Sequence, residues 1–89
     1  MSTTTPRPAD SPLSDPAVRE RLRGLPPSAK LVAKVLEDGD ALSQGQLAEA
    51  SLLPDRTVRY AINRLDDADL IDSRYSFRDA RKQVYFLRD

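Results

Sequence analysis

The sequence contains no cysteine and no histidine, and its 89 residues include three tyrosines and two phenylalanines. Without cysteine the chain forms no disulfide and offers no thiolate to a metal ion, and without histidine it lacks the commonest metal ligand and general base. An enzyme would have to work with carboxylates, lysine, serine or tyrosine. The few, scattered aromatic residues do not make a stacking platform for single-stranded RNA. We therefore expect a protein that is not an enzyme and that has no cofactor or metal site.

Long apolar runs are missing as well. No run approaches the roughly 20 residues of a membrane-spanning helix, and the first 15 residues contain no apolar segment typical of a signal peptide. These absences predict a cytoplasmic protein that does not enter a membrane. Residues 1–14 are rich in serine, threonine and proline, with little apolar beyond Leu13, which predicts a disordered N-terminal tail. Residues 15–89 are expected to form one small domain.

The net charge is zero, from 14 basic and 14 acidic side chains. A neutral chain argues against a polycation that coats nucleic acid without preference, so any nucleic-acid contact must be local. Eleven of the bases are arginine and eleven of the acids are aspartate. Such a bias is typical both of a GC-rich genome and of a halophilic host, and composition does not separate the two.

Two helices are predicted in the N-terminal half. Asp15 followed by Pro16 is a typical N-cap with proline in the first turn, and it opens a short helix through Arg23. The apolar residues at helical spacing along it are Val18, Leu22 and Leu25. Ser28 is expected to cap the second helix, and Gly39 to end it in a left-handed conformation. The predicted buried stripe of that helix is Leu31, Val32, Val35 and Leu36.

A capping box predicts the next helix. Ser43 and Gln46 have the spacing at which the serine side chain accepts from the Gln46 amide and the glutamine reaches back to the Ser43 amide. This helix should end near Ser51, and residues 41–42 before it should form an extended link. We thus expect short helices joined by tight turns, followed by a β-hairpin over residues 71–88.

A further helix, over about residues 54–66, has two chemically distinct faces. At about 100° per residue, one face is apolar and turns toward the core: Val58, Ile62 and Leu65. The opposite face and its flanks carry polar or basic side chains: Arg56, Thr57, Arg59, Tyr60, Asn63 and Arg64. Asp67 follows Arg56 on that face after three turns, and its charge would repel phosphates. If the helix enters a major groove, we expect its first two turns to make the contacts.

The hairpin loop, residues 77–82, is basic. Its cations are Arg78, Arg81 and Lys82. One interpretation is a solvated turn in which arginine pairs with Asp79, an arrangement worth little energy at a surface. The other is a wing that places arginine in the minor groove or on phosphates beside the preceding helix. The neighbouring polar helix face favours the wing.

These elements together resemble a winged helix-turn-helix domain, and the motifs are similar to those of MarR-type transcriptional regulators. The relevant segments are T-V-R-Y-A-I-N-R-L at 57–65, D-L-I at 69–71 and R-D-A-R at 78–81. In that family the recognition helix commonly reads T-V-x-R-x-x-x-R-L, followed after three residues by G-L-I, and the wing reads D-x-R-D-x-R. The resemblance covers about residues 28–87. It implies an α+β fold with a three-helix core and a C-terminal β-hairpin wing, here with an extra short N-terminal helix.

The same resemblance implies binding to double-stranded DNA. The helix side chains expected in the major groove or on its flanking phosphates are Arg56, Thr57, Arg59, Tyr60 and Asn63. Arg78 and Arg81 would serve the wing, and Asp79 would orient an adjacent arginine.

The chain departs from the family pattern at three points. Asp69 stands where the family usually has a left-handed glycine, and Ser76 replaces the first aspartate of the wing. MarR-type proteins also dimerise through helices on both sides of the winged domain, whereas this sequence ends at Asp89, just after the last strand. We expect a homodimer, if one forms, to use the helix ending at Arg23 together with Leu25, or the sheet.

One rival function stays open, a winged-helix module that binds protein within a larger transcription or nucleoprotein complex. The zero net charge and an acidic cluster favour it: Asp66, Asp67, Asp69 and Asp72. The cluster lacks the alternating spacing of a calcium loop, so it is interpreted as a solvated helix end. The basic helix and wing favour DNA, and a sequence-preferring DNA-binding regulator is the function we predict.

Overall fold

The computed structural model describes residues 12–38 and 41–88. A 3-10 turn, Pro12–Ser14, comes first. The helices are α1 (Pro16–Arg23), α2 (Pro27–Glu37), α3 (Gln44–Ser51) and α4 (Asp55–Asp67). The strands are β1 (Leu42–Ser43), β2 (Ile71–Tyr75) and β3 (Gln83–Leu87). The predicted α+β order, helices followed by a hairpin, is therefore confirmed.

The starts of α1 and α3 follow from local hydrogen bonds. Asp15 accepts from the backbone N–H of Ala17 at 2.9 Å, so it caps α1 as predicted. The capping box of α3 is complete. The Ser43 hydroxyl accepts from the Gln46 amide at 3.2 Å, and the Gln46 side chain accepts from the Ser43 amide at 2.9 Å. Each bond satisfies an N–H that the first helical turn leaves unpaired.

Helix α2 differs from its prediction in two respects. Its N-cap is Pro26 rather than Ser28, because Pro27 has the backbone angle required of a first helical residue and the helix starts there. Of its predicted buried stripe, Leu31 is instead 40% exposed and Val35 is only partly buried. The residues that α2 buries share one face at helical spacing: Ala29, Val32, Ala33 and Leu36. Leu31 lies about 100° around the helix from Val32 and so leaves that face. Gly39, the expected helix end, is outside the described residues.

The strands form a three-stranded antiparallel sheet in the order β1-β3-β2. Ile71 pairs with Leu87 and Tyr75 with Gln83, which confirms the hairpin. The expected extended link at residues 41–42 is instead partly a strand, since Leu42 pairs with Tyr85 on the other edge of β3. Because β1 runs directly into α3, this pairing joins the helical part to the wing.

The core lies between α2, α3, α4 and the start of β2. Its fully or nearly fully buried residues are Ala29, Val32, Ala33, Leu36, Leu47, Val58, Ala61, Ile62, Leu65, Leu70 and Ile71. Helix α1 packs on the outside, with Val18, Leu22 and then Leu25 partly buried against this cluster. Leu13 also packs there, so the end of the predicted tail takes part in the fold, while residues 1–11 are outside the described range. None of the helices in residues 12–38 and 41–88 combines the length and apolarity needed to cross a bilayer.

Two non-glycine residues in the described chain have a left-handed backbone. Asp69, with φ of 61°, follows α4 where the family pattern has glycine, as expected. Leu52, with φ of 63°, ends α3 and was not expected there. Both turns reverse the chain tightly, and the one at Leu52 sets the direction in which α4 leaves α3.

Candidate nucleic-acid interface

Helix α4 presents a polar, largely basic surface opposite its buried face. Val58, Ala61, Ile62 and Leu65 are buried. The side chains that lie exposed on the other side are Arg56, Arg59, Tyr60 and Asn63. Thr57 and Arg64 are half-buried at the margins of this surface. The helix begins with Asp55, whose carboxylate suits the positive end of the helix dipole.

Tyr60 and Arg64 form a pair on this surface. The Arg64 guanidinium donates to the Tyr60 hydroxyl at 2.9 Å, and its central carbon lies 5.8 Å from the ring centroid. Residues four apart on a helix meet in this way because they lie one above the other. The contact holds the Arg64 side chain against the surface of α4, one turn after Tyr60.

The turn between α3 and α4 is fixed by side chains of α3. Ser51 donates its hydroxyl to the Leu47 carbonyl at 2.6 Å and accepts from the Leu53 amide at 3.3 Å. Gln44 donates to the Asp55 carbonyl at 3.3 Å and so ties the start of α3 to the start of α4. Gln44 was not among the predicted site residues. Nothing in its sequence position signals this long-range bond, because it depends on how the two helices cross.

The wing loop is tied by four hydrogen bonds. The backbone N–H of Ser76 donates to the Lys82 carbonyl at 2.8 Å, and the backbone N–H of Lys82 donates to the Asp79 carbonyl at 2.9 Å. The Asp79 carboxylate accepts from the Arg81 amide at 3.0 Å, and the Ser76 hydroxyl accepts from the Arg78 amide at 3.2 Å. The Asp79 carboxylate also lies 3.6 Å from the Arg81 guanidinium. Arg78, Arg81 and Lys82 thus extend into solvent from a closed turn.

Two wing residues outside the predicted site also belong to this surface. Phe77 is 95% exposed, and the Arg74 guanidinium lies 5.3 Å from its ring centroid. Arg74 is on β2 and points outward. The alternation of side chains along β2 places Arg74 on the solvent side. Its stacking on Phe77 depends on the conformation of the wing loop, which the sequence pattern does not give.

A cleft of about 210 Å³ separates α4 from the wing strands. Its helix side is formed by Ile62, Asn63 and Asp66, and its sheet side by Ile71, Asp72, Ser73, Gln83 and Tyr85. Asn63 therefore faces the gap between the helix and the wing. Asp66 and Asp72 bring negative charge to the same gap, and Asp67 is exposed at the end of α4. The cleft between α4 and the wing strands is therefore acidic.

No group of three acidic side chains close enough to hold a metal ion occurs in the described part of the chain. The candidate interface consists of the polar face of α4, the wing cations and the cleft between α4 and the wing strands.

Neither a family model nor a curated protein matches this chain. Solved structures do match. A MarR family transcription regulator aligns with a TM-score of 0.69 at 22% identity, covering 79% of this chain and 47% of that one. The S. aureus MepR–DNA complex aligns at 0.69 and 20% identity, covering 79% and 60%. Bordetella bronchiseptica BpsR aligns at 0.65 and 27% identity, covering 74% and 50%.

This likeness confirms the predicted fold class. The chain has the winged-helix fold found in MarR family regulators, with α3 and α4 as its helix-turn-helix and β2–β3 as its wing. The chain spans about half the length of the regulators it matches.

Proposed function

We propose that this chain is a DNA-binding domain of a transcription regulator. In this proposal the first two turns of α4 enter the major groove of duplex DNA, and the wing meets the minor groove or its phosphates. The observation that carries the proposal is the exposed face of α4 headed by Arg56 beside a hydrogen-bonded wing that extends Arg78 and Arg81.

Each side chain has a chemical reason for its assignment. Arginine forks onto guanine edges or phosphates, and asparagine and tyrosine donate and accept at base edges or the backbone. We assign Arg56, Thr57, Arg59, Tyr60 and Asn63 to the major groove and its flanking phosphates. Arg64, held by Tyr60, is placed for a phosphate. In the wing, Arg78, Arg81 and Lys82 supply cations for the backbone or the minor groove.

The structural neighbours support this assignment at the level of the class. The matched structures include a MarR family transcription regulator and S. aureus MepR bound to DNA. A regulator that binds chromosomal DNA works in the cytoplasm and needs no catalytic site. Self-association through α1 with Leu25, or through the sheet, stays a prediction. The residues of α1 that pack on the core keep part of their apolar surface accessible.

The deciding experiment is a selection from random duplex DNA, combined with a light-scattering mass of the purified chain. We expect an enriched motif whose affinity falls as potassium salt is raised, because phosphate contacts release counterions. A palindromic motif together with a dimer mass would establish that a symmetric dimer binds two half-sites. If no duplex is retained at low salt from a randomised pool, the proposal is wrong.

The rival function, a protein-binding module, is favoured by the acidic cleft. Asp66 and Asp72 line the cleft between α4 and the wing strands, and their charge would repel a phosphate there. The same selection discriminates the two functions, since a protein-binding module enriches no DNA motif.

A further inference from the structure

Phe77 lies at the tip of the wing with its ring almost wholly in solvent, 95% exposed. A phenylalanine in that position adds nothing to the hydrophobic stabilisation of the fold, because its apolar surface stays in water. The loop nevertheless holds it in place. The backbone N–H of Ser76, the residue before it, donates to the Lys82 carbonyl at 2.8 Å. The backbone N–H of Arg78, the residue after it, donates to the Ser76 hydroxyl at 3.2 Å.

The surroundings of the ring are cationic. The Arg74 guanidinium lies 5.3 Å from the ring centroid, within the range of a cation–π contact. Arg78 is the next residue, and Arg81 and Lys82 lie across the loop, all three exposed. The one acid of the loop, Asp79, has its carboxylate engaged by the amide and guanidinium of Arg81.

We propose that Phe77 is an apolar wedge that enters the minor groove of bound DNA and partly unstacks one base step. This inference rests on the proposed function. It adds an apolar contact with DNA to the charged contacts assigned to the arginines. Minor-groove proteins use phenylalanine and other apolar side chains in this way, with cations alongside to hold the flanking phosphates. Here Arg74 stacks on the ring, and Arg78 follows it in the loop.

The charge around Phe77 favours DNA over a protein partner as the occupant. Protein interfaces also enrich phenylalanine and arginine, but they are depleted of lysine and carry few charges at their buried centre. Arg74 lies against the ring, and the loop that carries the ring supplies three further cations: Arg78, Arg81 and Lys82. This local excess of positive charge matches a polyanion. If Phe77→Ala binds DNA like the wild type, an acidic protein surface becomes the better candidate for contact with the ring.

The salt dependence of DNA affinity distinguishes the apolar contact of Phe77 from the phosphate contacts of the arginines. We would titrate a fluorescent duplex carrying the selected motif with the wild-type chain, Phe77→Ala, Phe77→Leu and Arg78→Ala, at several potassium concentrations. Because the wedge is uncharged, Phe77→Ala should weaken binding by about fivefold to a hundredfold at every salt concentration and leave the salt slope unchanged. Phe77→Leu should retain most of the affinity, since leucine also wedges. Arg78→Ala should flatten the slope by about one unit.

A second measurement reports the base step itself. With 2-aminopurine placed at successive positions under the wing, the wild-type chain should brighten one position, and Phe77→Ala should not. The proposal is overturned if Phe77→Ala binds like wild type, or if no position brightens. It is also overturned if Phe77→Ala lowers the salt slope, which would make Phe77 a positioning residue for Arg74. A wild-type chain that binds no duplex at all would overturn the proposed function as well, whereas normal binding by Phe77→Ala overturns the wedge alone.

Discussion

The Arg64 guanidinium donates a hydrogen bond of 2.9 Å to the hydroxyl of Tyr60, one turn earlier on α4. Both residues belong to the surface proposed to read DNA, and Tyr60 is 48% exposed. An exposed pair of this kind adds little to stability. Its effect is geometric, because it confines a long, flexible arginine to one path along the helix.

The substitution Tyr60→Phe tests that geometric role. It removes the hydroxyl acceptor while keeping the ring that the guanidinium covers. We expect DNA affinity to fall by about 0.5–1.5 kcal/mol, the usual net worth of one hydrogen bond, with the melting temperature nearly unchanged. Anisotropy titration and a thermal melt measure the two quantities. If Tyr60→Phe binds like wild type while Tyr60→Ala does not, the ring matters and the hydroxyl does not.

Arg56→Ala and Arg81→Ala should separate base reading from backbone contact. Removing Arg56 should relax base preference at one position of the motif, at a cost of about 1–3 kcal/mol if the contact is bidentate. Removing Arg81 should weaken all sequences evenly and flatten the salt slope by about one unit. Repeating the selection with each variant and measuring affinity across a salt series gives both quantities. A loss of base preference in Arg81→Ala would contradict the assignment of the wing to the backbone.

Asp79 should affect DNA affinity by holding the wing loop in its conformation. Its carboxylate accepts from the Arg81 amide at 3.0 Å and lies 3.6 Å from the guanidinium. Asp79→Ala and Asp79→Asn remove the same charge, but the asparagine oxygen can still accept from the amide. We therefore expect Asp79→Ala to bind DNA about twofold to tenfold more weakly than Asp79→Asn, the range of one neutral hydrogen bond. Equal affinities in parallel titrations would show that the turn contact has no effect on binding.

The features that sequence could predict are those encoded locally. The capping box needs only Ser43 and Gln46, three residues apart, and both of its hydrogen bonds are present. The exposed face of α4 follows from a period of 3.6 residues. The left-handed turn at Asp69 follows from the position after a helix, where the resemblance expects glycine.

The features that sequence could not predict depend on distant parts of the chain. Strand β1 exists because Leu42 meets Tyr85, 43 positions later. The exposure of Leu31 depends on which face of α2 the other helices cover. The acidic cleft combines Asp66 from α4 with Asp72 from β2, and they share it only once the sheet is packed.

The acidic cleft should weaken DNA binding. Two charges at roughly 10 Å from a phosphate each oppose it by about 0.4 kcal/mol in water. The double variant Asp66→Asn/Asp72→Asn should therefore bind the selected duplex roughly fourfold more tightly at low salt, and the gain should disappear as salt screens the charges. Glu20→Gln on α1 is the matched control, because it removes an acid away from α4 and the wing. The control removes one acid and the double variant removes two, so a control that gains half as much binding free energy would show that the effect comes from net charge and not from the cleft.

Leu52 should be a source of backbone strain in the turn that orients α4. Its φ is 63°, a conformation that costs a side chain with a Cβ roughly 1–2 kcal/mol, and its side chain is 89% exposed, so little packing would be lost on truncation. Leu52→Gly relieves the strain but adds about 0.4–1 kcal/mol of entropy to the unfolded chain. We expect the free energy of unfolding, measured by urea denaturation, to rise by roughly 0.5–1 kcal/mol. Leu52→Ala removes the same apolar surface, yet it keeps the Cβ and should change stability little. A glycine variant less stable than the alanine variant would show that the left-handed turn at Leu52 is unstrained.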